Sequence, residues 1–138
     1  MSRLRLLSAI LAFLVHGLPF AHAAENVQEL PPVRIMLIGD STVASYPNPP
    51  ADRPSLTGWG QVLGEFFNDK VRVLNHAVSG HSSKSFVRDG LWKKAMEQQP
   101  DYVFIQFGHN DQPGKVDRST DANADYQDYL RQYIRDAG

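Results

Sequence analysis

Cysteine does not occur in the 138 residues. Its absence removes a disulfide framework, a thiolate metal site and a cysteine nucleophile together. An excess of either charge is also lacking: 14 Lys and Arg stand against 15 Asp and Glu, a formal net charge of -1. With no basic cluster there is no support for nucleic-acid binding, which needs cations for its phosphate contacts. No HExxH pattern or histidine–carboxylate spacing argues for a metal, and no cofactor is expected. Internal repeats and low-complexity tracts are missing as well. The apolar run from Leu6 to Val15 is too short to span a bilayer comfortably, so no stable membrane anchor is expected. What remains is 42% hydrophobic, the composition of one small globular domain rather than of a disordered chain.

Arg3 and Arg5 precede the apolar run, and Ala21-His22-Ala23 follows it. These are the charged, apolar and small-residue regions of a secretory signal over residues 1–23, with cleavage expected after Ala23. The mature protein is therefore expected to be secreted or periplasmic. Residues 24–32 form a polar, proline-terminated lead-in, and the folded part is expected over 33–138.

The first strand is read from Val33 to Ile38, and it ends in Gly39-Asp40-Ser41-Thr42. Four prolines between Tyr46 and Pro54 bar helix and strand there and make the loop a candidate wall for a site. Trp59, Val62, Leu63, Phe66 and Phe67 fall at i, i+3, i+4, i+7 and i+8, which predicts an amphipathic helix. Val71–Leu74 reads as a second strand. A helical region opens at Ser82 or Ser83, breaks at Asp89-Gly90 and closes at Pro100. Tyr102–Phe107 is apolar at nearly every residue, the pattern of a parallel strand covered on both faces. The last helix carries Tyr126, Tyr129, Leu130, Tyr133, Ile134 and Ala137 on one stripe, with Thr120 or Asp121 as its cap. Strand and helix alternate three times, which implies an α/β fold with a doubly wound parallel sheet.

Each strand is followed by a short polar motif: Gly39-Asp40-Ser41-Thr42, Asn75-His76-Ala77-Val78-Ser79-Gly80 and Gly108-His109-Asn110-Asp111. Strand ends on one side of a parallel sheet meet at one crevice, so Ser41, Gly80 and Asn110 are expected to converge. Acyl transfer needs a hydroxyl nucleophile and donors aimed at the developing oxyanion. Ser41 offers the first. The backbone N–H groups of Ser41 and Gly80 and the side-chain amide of Asn110 offer the second. Asp40 is read as part of the nucleophile turn and Asp111 as a loop-ordering acceptor, in preference to an acid/base pair of carboxylates.

Together these motifs, with Gly58-Trp59-Gly60, Ser82-Ser83-Lys84-Ser85-Phe86 and Phe107-Gly108-His109-Asn110-Asp111, resemble the SGNH (GDSL-type) hydrolase superfamily. Within it, the resemblance is to rhamnogalacturonan acetylesterase-like carbohydrate esterases, and it extends over residues 33–138. It implies a flavodoxin-like three-layer α/β/α sandwich, with Ser41 as nucleophile and Ser41, Gly80 and Asn110 as oxyanion hole. The implied partner is an acetylated plant polysaccharide or another acyl ester. His81 departs from the arginine that often follows the glycine in relatives.

The resemblance also implies a general base in an Asp-x-x-His motif, and no such segment occurs here. His16 and His22 fall in the signal, while His76, His81 and His109 are read as local hydrogen-bonding or packing residues. The chain is thus expected to be the N-terminal portion of such a domain, a serine esterase by family with little activity by itself. The alternatives are an esterase of simple acyl esters or a non-catalytic fragment. The sheet order that the resemblance implies would leave Tyr102–Phe107 as an uncovered apolar edge and a site of self-association.

Overall fold

The computed structural model describes residues 29–138. The expected signal over 1–23 lies outside the described residues, as does most of the lead-in. Residues 29–32 are exposed and without regular structure. No helix among the described residues is long and apolar enough to cross a membrane.

Three parallel strands, β1 (Val33–Gly39), β2 (Val71–Asn75) and β3 (Tyr102–Gln106), form one sheet in the order β2-β1-β3. Ile35 pairs with Val73 on one side and Tyr102 on the other, and Leu37 pairs with Asn75 and Phe104. The helices are α1 (Trp59–Val62), α2 (Ser83–Arg88), α3 (Leu91–Met96) and α4 (Asp125–Ala137), and a 3-10 turn spans Leu63–Phe66.

Because side chains alternate along a strand, β1 feeds two cores. Met36 and Ile38 pack with Phe86, Trp92, Ala95 and Tyr133 from α2, α3 and α4. Ile35 and Leu37 point the other way, to Val43, Trp59, Leu63 and Val73. Helices therefore cover both faces of β1, and Ile35 through Ile38 are all buried. The α/β architecture is the one the alternation of elements implies.

Three local expectations are corrected. The stripe from Trp59 to Phe67 makes only one α-helical turn before tightening into 3-10 geometry, and Phe66 is 78% exposed. Gly60 and Gly64 weaken the helix from within. The strand β3 is not covered on both faces: Val103 and Ile105 pack on the α2–α4 side, whereas Tyr102 and Phe104 are 60% and 43% exposed. It lies at the sheet edge, where α1 meets it at Gln106 through the Trp59 indole. Finally, α4 starts at Asp125 with Ala124 at its N-cap. Thr120 spends its hydroxyl on Asp111 instead, at 3.2 Å.

Candidate active site

The turn after β1 is built by Asp40. Its buried carboxylate accepts the Thr42 N–H at 2.9 Å and the Thr42 hydroxyl at 2.8 Å. Its carbonyl accepts the N–H groups of Val43 and Ala44. These four bonds close one tight turn and leave Ser41 half-exposed at its apex. Gly39 has to be glycine, since a Cβ there would stand 2.6 Å from both the Gln106 carbonyl and Val43 Cγ2. The proline-rich loop does reach the site, where the Tyr46 phenol donates to the Ser41 carbonyl at 3.0 Å.

A second set of bonds fixes the turn from β3 and α1. The Trp59 indole Nε1–H donates to Gln106 Oε1 at 2.7 Å, and Gln106 Nε2 donates to the Thr42 hydroxyl at 2.7 Å. Indole N–H is a donor only, so it settles which end of the Gln106 amide faces Thr42. The Thr42 hydroxyl then has its proton left for Asp40. Direction runs one way from Trp59 to Asp40. Sequence reading missed Gln106, although a lone polar residue inside the apolar run 102–107 was a signal for it.

The second motif continues along the end of β1. His76 N–H donates to the Leu37 carbonyl at 2.8 Å and Val78 N–H to the Gly39 carbonyl at 3.0 Å. Asn75 ties this loop to the first one, donating to the Val43 carbonyl and Ser45 Oγ while accepting from Ala77 N–H. Gly80 adopts φ +82°, a left-handed conformation that favours glycine. Ser82 then caps α2 through a reciprocal box with Ser85.

In the third motif Asn110 is buried, and its Nδ2 donates to the His81 carbonyl at 2.9 Å. Asp111 is the loop-ordering acceptor expected for it. It is buried and accepts from the Ser83 N–H, the Ser83 hydroxyl and the Thr120 hydroxyl. The segment after it folds back, and Arg118 Nη1 donates to the Gly80 carbonyl at 2.7 Å. Arg118 is a second residue the sequence did not single out.

Ser41, Gly80 and Asn110 thus stand on three loops that hydrogen bonds lace together at the carboxyl ends of β1, β2 and β3. Among the described residues, the N–H groups of Ser41 and Gly80 have no protein acceptor. The Asn110 amide has one hydrogen engaged and one to spare. In the segment after β3 a cleft of about 840 Å³ is lined by Gly108, Asp111, Pro113, Thr120 and Tyr126 among others, and by none of Ser41, Gly80 and Asn110.

Among the described residues, His76 and His81 have side-chain partners other than Ser41. His76 lies 3.1 Å from Gln98 Nε2. His81 Nε2 is 3.3 Å from Asp89, and its ring stands edge-on to Phe86. His109 is exposed. No histidine among the described residues is hydrogen-bonded to Ser41. The Arg88 guanidinium donates to Asp89 and holds its carboxyl below the usual carboxylate range, with His81 adding to the effect. Burial raises the Tyr133 phenol far above its ordinary range, and its proton goes to the Ser83 carbonyl at 2.7 Å.

Comparison with known proteins points the same way. Residues 37–138 match the model of the GDSL-like Lipase/Acylhydrolase family. The chain is 40% identical over 106 residues to Probable rhamnogalacturonan acetylesterase YesY of Bacillus subtilis, covering 75% of this chain and 47% of that protein. It is 44% identical over 101 residues to rhamnogalacturonan acetylesterase RhgT of the same organism, covering 72% and 41%. Among solved structures, protein YXIM of Bacillus subtilis superposes with a TM-score of 0.61 at 28% identity, covering 77% of this chain and 29% of that one. The chain spans less than half the length of each of these relatives.

Proposed function

The chain belongs to the GDSL-like lipase/acylhydrolase family, and from that premise we propose that it carries the nucleophile and oxyanion hole of a secreted carbohydrate O-acetylesterase. In this reading Ser41 Oγ attacks the acetyl carbonyl. The N–H groups of Ser41 and Gly80 and the free Asn110 amide hydrogen receive the oxyanion. The sugar alcohol leaves, and water then releases acetate from the acyl-serine. One observation carries the reading most. Two backbone donors and one side-chain donor without further acceptors stand on adjacent strand-end loops, next to a half-exposed serine in a rigid turn.

The relatives' names suggest an acetylated plant polysaccharide such as rhamnogalacturonan as substrate. Secretion rests on the signal pattern over residues 1–23. The Asp-x-x-His base implied by the family is not among these residues. The reading therefore expects the base from the part of the relatives' length that this chain does not span.

The test is hydrolysis of p-nitrophenyl acetate by the full chain and by Ser41→Ala. The oxyanion hole by itself gives a residual rate that does not need the serine, so the comparison is made with added imidazole as external base, where the full chain is expected to exceed Ser41→Ala. Equal rates for the two proteins in the presence of imidazole would remove the assignment of Ser41 as nucleophile.

A further inference from the structure

Arg118 is a half-buried cation with no carboxylate within ion-pair distance among the described residues. The Gly80 carbonyl, 2.7 Å from Nη1, is its one side-chain hydrogen-bond partner there. A Cβ built on Gly80 would stand 3.4 Å from the same nitrogen. The guanidinium therefore lies against the face that glycine leaves bare, at the residue whose N–H is assigned to the oxyanion.

Partly desolvated charges are ordinarily paired. Two acidic residues of the adjoining segments are committed to other groups. Asp111 is engaged by Ser83 and Thr120, and Asp89 by Arg88 and His81. The Asp117 carboxylate belongs to an exposed residue and makes no ion pair with Arg118 or another cation among the described residues. A guanidinium has five N–H donors in a planar fork that fits a carboxylate bidentately, and four of Arg118's are left over. The loop that carries it is held in advance of any ligand. Lys115 N–H donates to Ser119 Oγ, and Thr120 N–H donates to the Asp111 carbonyl.

We propose that Arg118 is a specificity residue that binds the carboxylate of an acidic sugar, next to the acetyl ester placed between Ser41 and Gly80. The proposal rests on the esterase reading above. The substrate class is that of the reading above, and what is added is the residue that tells an acidic acetylated sugar from a neutral ester.

The experiment compares the full chain, Arg118→Gln and Arg118→Lys on acetylated rhamnogalacturonan and on the neutral ester p-nitrophenyl acetate. Its readout is the ratio of kcat/KM on the acidic substrate to that on the neutral one. Arg118→Gln is expected to lower this ratio about tenfold or more, the scale of a charge-assisted pair. Arg118→Lys keeps the charge without the fork and is expected to fall between. It serves as the test variant should circular dichroism show Arg118→Gln to be unfolded. An unchanged ratio, whatever the loss on each substrate, would overturn the proposal and leave Arg118 as a strut for Gly80.

A binding arm separates this proposal from the esterase reading. If neither substrate shows Ser41-dependent turnover even with added imidazole, the esterase reading fails and oligogalacturonate is titrated into each protein by NMR. Salt-sensitive shifts at Gly80 and Arg118 that are weakened in the variants support carboxylate recognition. No binding, or equal binding by all three proteins, overturns it.

Discussion

Asp111 is where a single side chain decides the most. Its buried carboxylate collects three donors from two segments, the start of α2 and the loop ending at Thr120. Asn110, its neighbour, is aimed by the same arrangement. Asp111→Ala would leave the Ser83 and Thr120 hydroxyls and the Ser83 N–H buried without acceptors, each a desolvation penalty. A loss of about 2–3 kcal/mol is expected on that basis, read as a lower urea midpoint at unchanged slope. An unchanged midpoint would mean that water replaces the carboxylate and that Asp111 does not hold the loop. The motif in the sequence marked Asp111 as an acceptor. It gave no sign of the donors, since Ser83 lies 28 residues away.

At the scale of elements, α1 shows what limits sequence reading. The stripe from Trp59 to Phe67 has helical spacing, yet the helix stops at Val62. What matters there is contact rather than periodicity. Gly58 and Gly60 press against the backbone of the nucleophile turn, and a Cβ on Gly60 would stand 2.5 Å from the Val43 carbonyl and 2.6 Å from Asn75 Nδ2. Gly60→Ala would be helix-favouring on propensity alone. Here it is expected to destabilise by about 1–3 kcal/mol through overpacking, and to weaken the Trp59–Gln106–Thr42 bonds with it. Thermal melts check the first effect, and the NMR shift of the Trp59 indole proton checks the second. A raised melting temperature would show that α1 can move away from the turn. The break at Asp89-Gly90 and the Ser82 cap, by contrast, stand where the sequence puts them.

For the whole molecule, the sheet order β2-β1-β3 leaves β3 with one unpaired edge and one bare face. Tyr102 and Phe104 on that face are 60% and 43% exposed. Edges of this kind pair with other strands unless charged or covered. The full chain is expected to self-associate with rising concentration in sedimentation velocity. Tyr102→Lys with Phe104→Lys is expected to shift it toward monomer while far-UV circular dichroism stays constant. A monomer at every concentration would remove the self-association. The exposed edge was foreseen from the family's sheet order, whereas the alternation of burial within β3 was not.

The strand-end motifs, the α/β class and the family are legible in the order of residues alone, because hydrophobic period and turn chemistry act over a few residues. That order placed Ser41, Gly80 and Asn110 at one end of the sheet by the logic of parallel strands. Only the tertiary structure decided what surrounds them: the Gln106 amide that orients Thr42, the Arg118 guanidinium on Gly80, and the Ser83 and Thr120 donors on Asp111. These are contacts between residues 9 to 64 positions apart. Directional bonds at such separations depend on how the chain packs, and no local pattern encodes them.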